Sequence, residues 1–146
     1  MNMAAQQEKI VVGVDGSGHS AIVLQWAIDE ARLRDARLRV IYAFPALVSL
    51  AGSTAAEYYP QVEKEAEQVL DQALADLPAD AQGRLERVLV PGNPAKVLIE
   101  ASADSALLVV GSRGRGGFRG MLLGSISHHC VQHARCPVVV VRSGHH

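Results

Sequence analysis

Runs of branched apolar residues alternate along this chain with stretches whose apolar positions recur every three or four residues. Lys9-Ile10-Val11-Val12-Gly13-Val14-Asp15 reads as a buried strand ending in an acid. Gly16-Ser17-Gly18-His19 follows as a turn, with Ser17 or Ser20 the expected N-cap of a helix reaching about Arg34. In that helix Leu24, Ala27, Ile28 and Ala31 share one face. Leu38 to Phe44 is a second strand, stopped by Pro45. Pro45 to Tyr59 has small residues and no clear period, and reads as a long connection able to serve as a lid. From about Tyr59 to Leu77 the apolar stripe Val62, Ala66, Val69, Leu70, Ala73 and Leu77 predicts an amphipathic helix. Arg84 to Val90 is a third strand. Asn93-Pro94 supplies an N-cap and a first-turn proline for a helix ending near Ala103. Ala106 to Val110 is a fourth strand, Ser125 to Ala134 a last helix, and Pro137 to Arg142 a fifth strand.

Five strands separated by helices predict an α/β fold: a doubly wound parallel sheet with helices on both faces. The near-continuous Val/Ile/Leu runs agree, because strands covered on both sides lose their in–out alternation. Four consecutive valines, Val138 to Val141, start at a proline and have no following element to cover them. An uncovered apolar edge invites pairing with another chain, so a homodimer through this strand is expected.

The 146 residues are most simply one domain, with an ordered core over about 8–142. A net charge of −1 gives no support for nucleic-acid or membrane binding. The distribution is more informative: eight acids and two bases lie between Glu57 and Glu86, but five arginines and no acid follow Ser105. An arginine-biased last third in a near-neutral protein suits a small polyanion. Cys130 and Cys136 match neither a disulfide framework nor a zinc pattern. No leader-like segment opens the chain and no apolar run approaches ~18 residues, so a cytoplasmic setting is expected.

The candidate chemistry lies in two glycine-rich loops. One, Gly13-Val14-Asp15-Gly16-Ser17-Gly18, leaves the first strand; the other, Gly111 to Ser125, leaves the fourth. The second carries five glycines ahead of a Gly124-Ser125 pair, and three arginines: Arg113, Arg115 and Arg119. Glycine allows close backbone approach, and unpaired amides at a helix start favour an anion. Strand order 3-2-1-4-5 puts the first and fourth strands side by side, so both loops open on one crevice where strand order reverses. Common nucleotide motifs do not fit. No lysine lies between Gly111 and Ser125, which removes the Walker pattern. Arg119 stands where the third glycine of a dinucleotide fingerprint belongs. Phe118 is the only aromatic in either loop, a poor sandwich for a flavin, and Asp15 lacks the second acid of a phosphoacceptor site.

The spacing present is Gly111-x2-Gly114-x9-Gly124-Ser125. With Ile10 to Ser17 and the closing Cys136-Pro137-Val138-Val139-Val140-Val141, it resembles the nucleotide-binding branch of the universal stress protein family over nearly the whole chain. The resemblance implies a sheet of order 3-2-1-4-5 of the adenine nucleotide alpha hydrolase type, ATP as ligand, and a dimer paired through the last strands. By that resemblance Asp15 and the Gly13 backbone hold the adenine or ribose end, and the Ala43 backbone contacts adenine. Val110 and Gly111 bound the ribose, Gly114 approaches the phosphates, and Gly124, Ser125, Ile126 and Ser127 bind them through N–H groups and hydroxyls. Arg113, Arg115 and Arg119 have the charge to neutralise phosphate or simply form a solvated basic loop. Asp15 beside a polyphosphate makes sense facing hydroxyls or adenine, with Mg²⁺ or Mn²⁺ an open accessory. His129 and His133 lie one helical turn apart without a third ligand, and His19, in the first loop within reach of the ligand, reads more readily as a surface loop residue.

No paired acid and base or activated nucleophile appears in either loop, so the expectation is an ATP-binding stress-response switch with at most slow hydrolysis. Two alternatives stay open: a partner-binding dimer module whose loop stays empty, and a binder of AMP or a cyclic nucleotide.

Overall fold

A computed structural model describes residues 7–44, 54–112 and 124–142, and for 54–59 the backbone alone. Five strands form one parallel sheet: β1 (Lys9–Val14), β2 (Arg37–Phe44), β3 (Leu85–Pro91), β4 (Leu107–Gly111) and β5 (Val138–Val141). Their order is β3-β2-β1-β4-β5, as expected. Ile10 pairs with both Leu38 and Leu107, which makes β1 the central strand. Both of its faces are covered: Ile10, Val11 and Val12 are fully buried.

Side-chain alternation along β1 divides the core in two. Ile10, Val12 and Val14 pack with Val23, Leu24, Ala27, Ile28 and Ala31 of α1 (His19–Arg34), and with Leu70 and Leu74 of α2 (Thr54–Leu74). Val11 faces the opposite side with Ile41, Leu108 and Val110, against Leu98 of α4 (Pro94–Ala101) and Cys130 of α5 (Ser125–His133). Burial pushes the Cys130 thiol up to about 11, so at neutral pH it stays protonated and acts as a small apolar side chain.

The structure revises several local expectations. Helix α2 starts at Thr54, ahead of Tyr59, and runs through Pro60 to Leu74. Its expected stripe does face inward, but Leu74 joins it as one of the most buried residues and Leu77 lies past the helix end. The five-residue α3 (Ala79–Gly83), with Ala81 its only buried member, is too short to show a hydrophobic period. The lid expected over Pro45–Tyr59 falls largely outside the described residues. Asn93 caps α4 as expected, its side-chain oxygen accepting from Lys96 N at 3.1 Å with Pro94 in the first turn. Neither Ser17 nor Ser20 caps α1: Gly18 occupies that position without a side-chain bond. The competing arrangement is a turn built around Asp15, described below. Strand β5 lies at the sheet edge, its four valines half-buried and paired with β4 alone among the described residues.

Leu108 is fully buried on a strand between β1 and β5. Leu108→Ala is expected to lower unfolding free energy by about 2–5 kcal/mol, measured by urea denaturation monitored through Trp26 fluorescence.

Candidate functional site

All five strands run parallel, so the loops leaving β1 and β4 emerge side by side at their carboxyl ends. Between them lies a cleft enclosing about 790 Å³ of space free of protein atoms, its open mouth included. Gly13, Asp15, Ala43, Val110, Gly111, Gly124, Ser125, Ile126 and Ser127 all line it. The structure therefore gathers, around one hollow, residues spread from position 13 to position 127. Arg113, Gly114, Arg115 and Arg119, also singled out by the sequence, lie outside the described residues.

Asp15 organises the first wall. Its Oδ1 accepts from Ser17 N at 2.9 Å and from the Ser20 hydroxyl at 2.8 Å, and Asp15 N donates to Ser20 Oγ at 3.1 Å. The bond to the amide two residues on is an Asx turn, the conformation an aspartate side chain offers in place of a helix cap. Gly16 within it has φ of +81°, where a side chain would be strained. The carboxylate thus sits just ahead of the positive end of α1, with two donors holding its charge.

Gly13 and Gly111 are glycines for a different reason, namely packing. A Cβ at Gly13 would stand 2.7 Å from Leu98 Cδ1, so α4 could not lie as close to β1. A Cβ at Gly111 would stand 2.8 Å from His19 Cδ2 and 3.1 Å from both His19 Nε2 and Val23 Cγ2. His19 therefore packs its ring across the end of β4 and is no ordinary surface residue. Its Nε2 lies 3.0 Å from the Val141 carbonyl oxygen at the end of β5.

The second wall is fastened by Ser112, which the sequence reading passed over. Ser112 N donates to Val141 O at 2.9 Å, and Ser112 O accepts from Gly124 N at 2.6 Å. The buried Ser127 hydroxyl is shared between Ser112 O at 3.3 Å and Gly124 O at 3.1 Å. Its proton is therefore committed to the protein, and so is the Gly124 amide. Gly124 has φ of −73° and ψ of 169°, ordinary extended backbone. The first intrahelical bond of α5 runs from His128 N to Gly124 O. The amides of Ser125, Ile126 and Ser127 precede it, and Gly124 gives them no side-chain cap. They form the anion-favouring part of the cleft, on a nine-residue helix.

The remaining lining is apolar: Ile41 and Ala43 from β2, Val23 from α1, and Pro94 and Leu98 from α4. Pro94 and Leu98 carry no sequence signal beyond helix formation, and reach the cleft only because α4 crosses the face behind Gly13. Asp15 is the one acid among the described lining residues. Among the described residues no group of three or more His, Cys, Asp or Glu is arranged to hold a metal ion. His129 Nδ1 is taken up by the Ser125 carbonyl at 2.9 Å. No helix among the described residues is long and apolar enough to cross a membrane.

Comparison with known proteins places the fold among known families. The model of the universal stress protein family matches residues 7–142. Universal stress protein Rv2623 of Mycobacterium tuberculosis is 39% identical over 138 residues, which are 94% of this chain and 46% of that protein. Universal stress protein Rv2005c of the same organism is 38% identical over 146 residues, with the same coverage of 94% and 46%. The chain thus spans about half the length of these curated relatives. Among solved structures, universal stress protein UspA from Lactobacillus plantarum superposes with a TM-score of 0.80 at 20% identity, covering 92% of this chain and 97% of that one. A universal stress protein solved in complex with cAMP superposes with a TM-score of 0.60 at 26% identity, covering 94% of this chain and 98% of that one. Another from Archaeoglobus fulgidus, in complex with dAMP, gives a TM-score of 0.66 at 22% identity, covering 92% and 97%. By fold, by the extent of the family match and by identity to its relatives, the chain belongs to the universal stress protein family.

Proposed function

We propose that the cleft binds ATP and that the protein acts as a nucleotide-dependent dimeric switch in the stress response of a cytoplasm. The observation that carries this reading is the convergence of the uncapped amides of α5 with an apolar wall. Ile41, Ala43, Pro94 and Leu98 suit the faces of a base, while the amides of Ser125, Ile126 and Ser127 suit phosphate. The adenine nucleotides in two solved family members support the base; the three arginines between Gly111 and Gly124 favour a triphosphate over AMP or a cyclic nucleotide. Gly13, Asp15, Ala43, Val110 and Gly111 complete the base and sugar end in this reading, with Arg113, Gly114 and Arg115 at the phosphates. Mg²⁺ or Mn²⁺ enters, if at all, on phosphate oxygens, because a single engaged carboxylate is a thin site for either ion. With no acid–base pair facing the α5 amides among the described residues, binding is the primary activity and hydrolysis slow.

Calorimetric titration with ATP tests the cleft. The wild type is expected to bind, and Gly124→Leu to weaken binding about tenfold or more, about 1.4 kcal/mol. Extended backbone at this position admits leucine, so the variant should still fold, checked by a cooperative thermal melt. An unaltered affinity in Gly124→Leu would place the nucleotide elsewhere.

The dimer reading rests on β5. The carbonyls of Pro137 and Val141 both accept from β4-side amides, so strand alternation turns the amides of Val138 and Val140 toward the open edge. Val140→Pro removes one edge donor and leaves the pairing with β4. Sedimentation should show a dimer for the wild type and a monomer for the variant; a dimer in both would assign the interface to another surface.

A further inference from the structure

Among the described residues three buried side-chain polar atoms lack a hydrogen-bond partner: Ser17 Oγ, His19 Nδ1 and Arg84 Nε. Ser17 and His19, two positions apart, both line the cleft. A buried polar atom left unpaired costs about 1–3 kcal/mol, so two of them on one wall call for a partner that the chain does not supply.

The bond to Val141 defines that partner's chemistry. A carbonyl oxygen only accepts, so His19 Nε2, 3.0 Å away, carries the proton. In the neutral ring Nδ1 is then a lone-pair acceptor, and the packing of the ring against Gly111 and Val23 fixes where it stands. Such an atom repels a phosphate oxygen and welcomes a hydroxyl. The Ser17 hydroxyl, two positions earlier in the chain and on the same lining, both gives and takes. Asp15 Oδ1 already serves Ser17 N and Ser20 Oγ, and a carboxylate only accepts, so it does not supply the donor that the Ser17 hydroxyl offers. An acceptor and a donor–acceptor lining one cleft match the paired hydroxyls of a sugar. The sheet order puts β1, which leads through Ser17 to His19 at the start of α1, between β2 on the apolar side of the cleft and β4 leading to α5.

We propose that Ser17 and His19 form a sugar-hydroxyl subsite, with His19 Nδ1 accepting from one hydroxyl of the ligand and Ser17 Oγ pairing with its neighbour. The assignment rests on the nucleotide reading above and adds to it a selection for the ribose form. His19 also joins that subsite to the last carbonyl of β5, the strand assigned to the dimer edge.

Two conservative variants separate the functions of the two ring nitrogens. Glutamine at position 19 places a donor where Nε2 stood and keeps the bond to Val141, but offers nothing at Nδ1. Asparagine keeps an acceptor at the Nδ1 position and loses the reach to Val141. The full chain would be titrated calorimetrically with ATP and with 2′,3′-dideoxy-ATP. Wild type is expected to prefer ATP about tenfold, the contribution of roughly one hydrogen bond. His19→Gln and Ser17→Ala should bring the preference to about threefold or less with dideoxy-ATP affinity unchanged, and His19→Asn should retain it. In the wild type the Nδ1 nitrogen resonance of His19 should move on adding ATP and stay in place with dideoxy-ATP. Equal affinities for the two nucleotides in the wild type, or a full preference in His19→Gln with an unmoved Nδ1 resonance, would overturn the subsite and leave the nucleotide reading standing. Failure of the wild type to bind ATP at all would overturn both.

Discussion

Two main-chain oxygens, those of Ser112 and Val141, hold together the elements that make the cleft. Val141 O takes the Ser112 amide and faces His19 Nε2; Ser112 O takes the Gly124 amide and a share of the Ser127 hydroxyl. Through these bonds the ends of β4 and β5, the start of α1 and the start of α5 are fixed relative to one another. Both flanks of the glycine loop are anchored at Ser112 and Gly124 whatever the loop itself does. The consequence is chemical as well as mechanical. Because Gly124 N and Ser127 Oγ are spent on this clamp, the amides left for an anion are those of Ser125, Ile126 and Ser127.

The electrostatics of the site follow from the same economy. A carboxylate beside a polyphosphate would be repulsive if its charge faced the cleft unopposed. Asp15 Oδ1 instead accepts two hydrogen bonds at the foot of α1, so the acid shapes the turn while the α5 amides present the positive potential. Gly13 and Gly111 then contribute by lacking volume. One lets Leu98 approach β1 and the other seats the His19 ring, so each carries a side chain from a distant helix up to the cleft.

The sheet was readable in the sequence because covering it on both faces requires near-continuous apolar runs, and Ile10 to Val12, Val40 to Phe44 and Leu107 to Val110 supply them. Its strand order, and with it the meeting of the loops from β1 and β4, is what the family resemblance carried by Gly111-x2-Gly114-x9-Gly124-Ser125 implies, since doubly wound sheets occur in more than one order. Where local signals compete, sequence reading gave less. Ser17 and Ser20 look like helix caps, but Asp15 two and five residues before them offers the backbone a turn instead. The start of α2 at Thr54 carries no apolar period, and α3 is shorter than one. Ser112 was invisible as a site residue, and His19, within reach of a ligand, read more readily as part of the surface, since their roles depend on Val141, 122 positions from His19. No local pattern records a contact made only when β5 closes the sheet.

The central claim, that amides at the start of α5 receive an anionic adenine nucleotide where β1 and β4 end, is open to a direct measurement. Backbone amide resonances of the full chain would be followed by nuclear magnetic resonance during addition of ATP. The account predicts that Gly111, Ser125, Ile126 and Ser127 move most and together, with Ile41 and Ala43 following and the outer face of α2 unchanged. Resonances of Ser125 to Ser127 that stay in place while ATP binds would contradict it.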